Sequence, residues 1–330
     1  MTIEPPLRLG IVGLGKMGIM HACLLNTFPN VVLAGLCDKS RLMRNIAKQP
    51  FKNAVVTDDL EKFSSLALDA VFVLTPIPSH YPIIKQIYEK KIAKNVFVEK
   101  TLSSSYSQSK ELQASSERLK SVSMVGYMKR FAVTFNLAKS LLEQQVLGDL
   151  SSFYTYAFSS DFTSIQEGST LPSARGGVLE DLGSHVMDLA LWFFGNLRPT
   201  NVTINSGVGS EDDLTFSVKG KDGLEGKFDV SWRKPEYRMP EFGFKIHGSR
   251  GKLSVNDDEV CLELDGASTK RWYRPDMDDN VGFLLGAPEY YREDQHYLDA
   301  LTANVPLKVD FKEALKVDLL IDQVRQLWKN

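Results

Sequence analysis

The chain contains little cysteine, no excess charge of either sign and no long apolar run. Cys23, Cys37 and Cys261 are odd in number and far apart, which excludes a disulfide framework and gives no zinc-ligand spacing. Lysine plus arginine number 39 against 41 acidic residues, so no basic surface indicates a nucleic-acid partner. The most apolar stretch, residues 189–194, is far too short to span a bilayer, and residues 1–6 lack the pattern of a signal peptide. We therefore expect a cytoplasmic protein with no membrane partner.

The chain does contain a glycine-rich turn between a predicted strand, residues 9–12, and a predicted helix. Its residues are Gly13, Leu14, Gly15, Lys16, Met17 and Gly18. In dinucleotide-binding folds the first glycine of such a turn allows a tight bend, the second admits a pyrophosphate and the third lets helix and strand pack closely. A second apolar run, 31–37, ends in Asp38, where the fingerprint places a carboxylate for the adenine ribose. This order of features predicts a dinucleotide site rather than an ordinary glycine turn.

A chain of 330 residues exceeds the size at which one hydrophobic core keeps growing, so two domains are expected. Residues 1–126 alternate apolar runs with helical patterns, which predicts a doubly wound parallel α/β sheet of the Rossmann type. Residues 127–330 instead contain a series of strands with few helices, which predicts an α+β domain with a largely antiparallel, open sheet. Several strands, for example residues 153–158, are apolar or aromatic on both faces, which favours a homodimer or homotetramer formed through this sheet. The alternative is that helices and loops of the same chain cover this face.

Polar residues follow three predicted parallel strands, where ligands of such sheets bind. They are Asp38, the loop from Thr75 and Pro76 to His80, and the pair Glu99 and Lys100. A lysine directly after a buried strand is costly to desolvate unless it is paired or used. From its position alone, a lysine that points to solvent at the end of the strand is the favoured explanation of Lys100.

The second domain offers a carboxylate and an imidazole on one predicted helix. Asp181 and His185 occupy positions i and i+4, and Asp188 follows three positions later, so all three share a helix face. A carboxylate beside an imidazole raises its basicity, which suits a proton acceptor. A structural histidine is the alternative. A metal site is less favoured because no further His or Cys cluster supplies ligands, and we expect no metal.

Taken together and in order, these motifs resemble the glucose-fructose oxidoreductase/inositol dehydrogenase/rhizopine-catabolism (Gfo/Idh/MocA) oxidoreductases over nearly the whole chain. The resemblance also rests on the segment from Gly126 to Phe131, on residues 176–188 and on the C-terminal helices. The chain departs from the family at Thr101, where proline usually follows the Glu-Lys pair, and at Ile77, where asparagine is common.

The resemblance implies an NAD cofactor, bound by the glycine turn, Asp38, Thr75, Pro76, His80, Glu99 and Lys100. It further implies that Lys100 lies between cofactor and substrate and that Asp181 and His185 complete the catalytic group. Plausible further substrate contacts are Tyr127, Arg130 and Arg175. Asp38 repels a 2′-phosphate and so favours NAD, although Lys39 and Arg41 leave NADP open.

The reaction expected is the reversible oxidation of a secondary alcohol on a sugar, cyclitol or nucleotide sugar. His185 would take the hydroxyl proton while Lys100 stabilises charge on the oxygen, although a desolvated Lys100 is itself a candidate base. Two alternatives stay open: reduction of a C=C or C=N bond, as in bilin reductases, and a non-catalytic NAD(P)-binding redox sensor. The sensor would not need the lysine and the histidine.

Overall fold

A computed structural model of the chain describes residues 5–161, 176–204, 211–279 and 287–329. The chain forms two compact units, one of Met1–Gly126 and Tyr290–Leu315, the other of Tyr127–Glu289 and Lys316–Asn330. The sequence analysis placed the segment Tyr290–Leu315 in the second domain, whereas in the structure it belongs to the first unit. The physical reason is strand pairing at the sheet edge, where the Val125 N–H donates to the Val309 carbonyl at 3.1 Å.

The first unit contains a six-stranded sheet in the order β3-β2-β1-β4-β5-β6, with all its neighbouring strands parallel. Its strands are β1 (Leu7–Val12), β2 (Val31–Cys37), β3 (Val55–Thr57), β4 (Ala70–Val73), β5 (Asn95–Glu99) and β6 (Ser123–Gly126). The central strands β4 and β5 consist almost entirely of buried residues, as expected for a sheet that is covered on both faces. This is the predicted doubly wound parallel sheet.

Helices connect these strands. They are α1 (Lys16–Leu25), α2 (Arg41–Lys48), α3 (His80–Glu89) and α4 (Tyr106–Leu119), with 3₁₀ turns at Leu60–Ser65 and Ile77–Ser79. Serine hydroxyls cap two of the helices, since Ser40 accepts from the Met43 N–H and Ser105 from the Gln108 N–H. The helix α1 begins at Lys16, within the glycine turn, so its first N–H groups lie at the carboxyl end of β1.

The second unit contains an eight-stranded sheet in the order β14-β13-β12-β11-β7-β10-β9-β8. Its strands are β7 (Leu150–Phe158), β8 (Arg198–Ile204), β9 (Asp213–Lys219), β10 (Glu225–Ser231), β11 (Glu241–Gly248), β12 (Gly251–Asn256), β13 (Glu259–Leu264) and β14 (Lys270–Tyr273). Only β7 and β10 pair in parallel among these neighbours, so the prediction of a largely antiparallel sheet is confirmed.

The remaining helices are α5 (Val133–Glu143), α6 (Ser184–Phe194), α7 (Glu289–Ala303) and α8 (Phe311–Lys329). On β7, Phe153 is buried and stacks on Phe194 of α6, with ring centroids 4.4 Å apart. The opposite face of β7 carries Tyr154 and Tyr156, which are half-buried and bond through their hydroxyls to carboxylates. This face is thus aromatic, as predicted, and its hydroxyl groups are hydrogen-bonded. Among the described residues, no helix combines the length and the apolarity needed to cross a membrane.

Candidate active site

The glycine turn is shaped by its own backbone. Gly13 has φ +94°, which L-residues rarely adopt. A Cβ on Gly18 would lie 1.9 Å from the Gly13 carbonyl oxygen, so only glycine allows α1 to pass this close to the turn. Gly15 has extended φ/ψ angles and nothing within 4 Å of where a Cβ would stand. The space beside Gly15 is therefore open to a ligand that approaches the backbone.

Asp38, at the carboxyl end of β2, faces the glycine turn. Its Oδ2 accepts from the Leu14 N–H at 2.6 Å, and its Oδ1 accepts from the Ser40 N–H at 2.6 Å. Each oxygen retains a second lone pair, so the carboxylate can still accept from a ribose hydroxyl. These hydrogen bonds fix the carboxylate where the dinucleotide fingerprint requires it.

A cavity of ≈ 560 Å³ opens at this edge of the sheet, within the first unit. Its lining includes the predicted cofactor residues Gly13, Gly15, Asp38, Thr75 and Pro76. Lys39, which the sequence analysis named as a possible partner of a 2′-phosphate, and Ser79, within the predicted Thr75–His80 loop, also line it. Sequence reasoning missed further lining residues, among them Asp58, Asp59, Leu60, Ile83 and Gln86. Asp58 and Asp59 follow β3 directly, so their position after a parallel strand was the available signal. The open glycine turn, the fixed carboxylate and the cavity between them fit an NAD molecule.

The cations near Asp38 are engaged elsewhere. Lys39 Nζ donates to the Asp58 carbonyl at 2.9 Å. Arg44 donates to the Asp38 carbonyl at 2.7 Å and pairs with the Asp58 carboxylate at 3.2 Å. Arg41 is exposed on α2. A 2′-phosphate would meet the carboxylate of Asp38, so the arrangement favours NAD over NADP.

Lys100 follows the last residue of β5, and the Lys100–Thr101 peptide bond is cis. Thr101 is held by His80, whose Nδ1 lies 2.7 Å from the Thr101 carbonyl oxygen. The other ring nitrogen of His80 lies 2.7 Å from the Thr75 carbonyl oxygen. The ring of His80 is fully buried, so it bridges the loops after β4 and β5 and offers no exposed atom to a cofactor. In the structure the predicted cofactor residue His80 thus acts as a bridge between these two loops.

Behind Lys100 lies a buried cluster that the sequence analysis did not find. The ring of His21, on α1, lies between the carboxylates of Glu99 and Asp294. Burial alone would lower the pKa of His21, but the charges and hydrogen bonds of the two carboxylates raise it well above its usual value. Asp294 is distant in sequence, so no local pattern links it to the glycine turn.

In the second unit, Asp181 and His185 lie at the start of the predicted helix. Residues Leu179–Gly183 form a π-helical turn and α6 begins only at Ser184, so the predicted i, i+4 pair spans a change of helix type. Asp181 Oδ2 accepts from the indole N–H of Trp232 at 3.1 Å. His185 is 6% exposed, and its ring packs edge-on against Phe242 at 5.0 Å.

A half-buried arginine anchors the π-helical turn. Arg325, on α8, forms ion pairs with Glu180 and with Glu211, and it donates to the Gly176 carbonyl at 2.8 Å. Glu180 directly precedes Asp181 in the chain. Trp232 thus fixes the side chain of Asp181, while Arg325 fixes the preceding residue, Glu180.

The predicted substrate contacts differ in their environments. Arg130 is 3% exposed and forms a bidentate pair with Asp188, at 2.7 and 2.8 Å, which fixes its guanidinium. Tyr127 is fully buried, its ring lies edge-on to that of His185, and its hydroxyl has no hydrogen-bond partner among the described residues. Burial and the nearby charges of Asp318 and Asp188 raise the pKa of Tyr127 well above its usual value, so the hydroxyl keeps its proton. Arg175 lies outside the described residues.

Two family models match the chain. The model described as an oxidoreductase family with an NAD-binding Rossmann fold matches residues 7–127, and the GFO/IDH/MocA C-terminal domain matches residues 135–254. The first unit is therefore an NAD-binding Rossmann domain.

Curated relatives and solved structures agree with these models. The scyllo-inositol 2-dehydrogenase (NAD(+)) of Bacillus subtilis strain 168 is 29% identical, with 71% of this chain and 69% of that protein covered. The myo-inositol 2-dehydrogenase of Thermotoga maritima is 22% identical, with 78% of each covered. A structure of levoglucosan dehydrogenase in complex with NADH and levoglucosan shares the fold, with a TM-score of 0.85 at 19% identity and coverage of 98% and 97%.

Proposed function

Because the chain belongs to the Gfo/Idh/MocA family of NAD-binding oxidoreductases, we propose that it is a dehydrogenase for a secondary alcohol on a sugar, cyclitol or nucleotide sugar. The named relatives that act on inositols support the polyol class, as does the structural neighbour with bound levoglucosan. One observation carries the proposal. The glycine turn, Asp38, Thr75 and Lys100 follow four strands of one parallel sheet at their carboxyl ends, where such folds bind ligands.

The residues that would hold the cofactor lie along this edge. Asp38 would accept from a ribose hydroxyl, the N–H groups at the start of α1 would face the pyrophosphate, and Thr75 with Pro76 would line the cavity further along. When bound, NAD⁺ supplies the two-electron acceptor for the alcohol. Lys100, at the end of β5, belongs to the same edge and would face the substrate oxygen.

Polar side chains would remove the proton of the alcohol. We assign its removal to His185, while the ammonium of Lys100 donates a hydrogen bond to the same oxygen and stabilises the charge that develops there. Asp181, which accepts from the indole N–H of Trp232, would hold the geometry and the protonation of this centre.

The first experiment measures NADH formation against a panel of polyols, cyclitols and nucleotide sugars. Lys100→Met should lower kcat/KM by about 10²–10⁴-fold and leave the Kd of NAD⁺ within about threefold, because the lysine acts on the substrate oxygen. Lys94→Met is the matched control, since Lys94 directly precedes β5 and its side chain is exposed. Undiminished turnover in Lys100→Met would remove Lys100 from the mechanism.

A second experiment separates the two candidate bases. If His185 is the base, the acidic limb of the kcat/KM profile disappears in His185→Asn and persists in Lys100→Met. The reverse pattern would assign the base to Lys100. Turnover of C=C or C=N acceptors alone, with no activity on any polyol, would contradict the proposed substrate class.

We further propose that one face of the eight-stranded sheet, the face that carries Tyr154 and Tyr156, joins copies of this chain into a dimer or tetramer. The half-buried Tyr154 and Tyr156 stack on this face at 6.2 Å, and tyrosines are enriched at interfaces. Light scattering should give a mass above that of one chain, and Tyr156→Lys should lower it. A monomer at micromolar concentration would contradict this assembly.

A further inference from the structure

The buried histidine behind Lys100 joins three distant parts of the first unit. His21 lies on α1 just after the glycine turn, Glu99 is the last residue of β5, and Asp294 lies on α7. Nδ1 of His21 is 2.8 Å from Asp294 Oδ1, and Nε2 is 3.4 Å from Glu99 Oε1. His21 and Asp294 are fully buried, and Glu99 is 9% exposed. We call these three residues the His21 cluster.

The geometry of the cluster favours a charged ring. Ionised carboxylates only accept hydrogen bonds, and a neutral imidazole has a single N–H to donate, whereas an imidazolium has two. The other groups packed on the ring are the aromatic side chains of Phe72, Phe97 and Tyr290. Glu99 and Asp294 together raise the pKa of His21 against the opposing effect of burial, so the ring carries a positive charge at neutral pH.

The cluster continues to Lys100 through the second oxygen of Glu99. Glu99 Oε2 accepts from the backbone N–H of Lys100 at 3.1 Å, while Oε1 faces His21. We propose that His21 is a positioning residue: by holding Glu99, it fixes the backbone from which Lys100 reaches the substrate. This inference rests on the proposed role of Lys100, and it assigns His21 no contact with substrate or cofactor.

A purely structural role explains the cluster less well. Buried ion pairs contribute little net stability, because desolvation offsets their attraction and apolar replacements are often as stable. Phe72 and Phe97 stack beside the ring at 4.7 Å, so apolar packing already surrounds this position. The charged groups instead form a continuous path that ends at the Lys100 N–H.

The test measures the Lys100 amide directly and needs no substrate. In wild type the Lys100 N–H should be protected from hydrogen exchange, measured by NMR on the full-length chain. His21→Gln should speed this exchange by about tenfold or more, because both N–H groups of the glutamine amide stand on one nitrogen and cannot replace the donors on two separate ring nitrogens. The amides of Val12 and Val73, elsewhere in the same sheet, should change little.

Asp294→Asn is the matched control, because asparagine still accepts from Nδ1 and the imidazolium keeps its contact with Glu99. This variant should retain the protection of Lys100. The double variant His21→Gln/Asp294→Asn removes the unpaired buried carboxylate, so it should regain thermal stability and yet leave the Lys100 N–H exposed to exchange. Restored protection in the double variant would show that His21 only neutralises Asp294, which would overturn the proposal.

Two further readouts complete the test. Ring ¹⁵N NMR of wild type should show both nitrogens of His21 protonated at pH 7, and a neutral ring would overturn the proposal even if every variant failed to fold. With a substrate from the panel, His21→Gln should lower kcat by up to about 10²-fold with little change in KM, because a displaced lysine loses mainly transition-state contact. Normal exchange protection with no turnover on any polyol would instead count against the proposed function alone.

Discussion

Gly15 and Gly18 belong to one motif, but the structure predicts opposite consequences for adding a methyl group. Gly15→Ala should leave the free energy of unfolding unchanged or slightly higher, since nothing lies within 4 Å of the new Cβ and φ is −67°. Its effect should fall on the cofactor, because the methyl group occupies the space through which a pyrophosphate approaches the backbone. Gly18→Ala should instead destabilise the fold, since its Cβ would lie 1.9 Å from the Gly13 carbonyl oxygen.

The magnitudes follow from these distances. Overpacking costs about 1–3 kcal/mol, and the helix preference of alanine over glycine returns about 0.5–1 kcal/mol, so Gly18→Ala should lose about 1–2 kcal/mol. Gly15→Ala should stay within about 0.5 kcal/mol of wild type or gain slightly from a less flexible unfolded chain. Its Kd for NAD⁺ should rise by at least about tenfold, which corresponds to about 1.4 kcal/mol.

Urea unfolding measures the first quantity and calorimetric titration with NAD⁺ the second, on the same protein preparations. The reasoning fails if Gly15→Ala binds NAD⁺ as tightly as wild type. It also fails if Gly15→Ala is destabilised as strongly as Gly18→Ala, because the space beside Gly15 would then not be open.

Further predictions concern charge and burial. Asp38→Asn should raise affinity for NADP⁺ relative to NAD⁺ by about tenfold in fluorescence titrations, because the carboxylate that repels a 2′-phosphate is lost; an unchanged ratio would contradict its assignment. Arg130→Ala should lower the free energy of urea unfolding by about 3–5 kcal/mol by leaving Asp188 buried without this pair, whereas Arg130→Met/Asp188→Leu should recover most of that loss. Burial raises the pKa of the Cys37 thiol to about 11, so mass spectrometry should find exposed Cys23 alkylated by iodoacetamide well before Cys37. The pKa of His21 is higher in the folded state than in the unfolded state, so its contribution to the free energy of unfolding should be complete below about pH 6.5 and should decline as pH rises through the folded-state pKa. Urea unfolding of wild type and His21→Gln measures this contribution, and a difference that does not shrink at alkaline pH would contradict the prediction.

The sequence by itself determined the class of fold and the position of the cofactor site. Those features depend on local patterns: strand alternation, the glycine turn and an acid at the end of the next strand. The turn needs its glycines for reasons of backbone conformation and close approach, which act between near neighbours in the chain. Asp38 was predictable because β1 and β2 are adjacent and parallel, so their ends meet at one edge.

Only the tertiary structure decided which of the polar residues have partners in the interior. The sequence shows neither the pairing of Arg130 with Asp188 nor the contacts of both ring nitrogens of His80 with backbone carbonyls. His21 and Asp294 are separated by 273 positions, so their contact depends on how α1 and α7 pack. Local sequence carries no record of such contacts, because the free energy of burying a charge is set by whichever distant group the fold brings beside it.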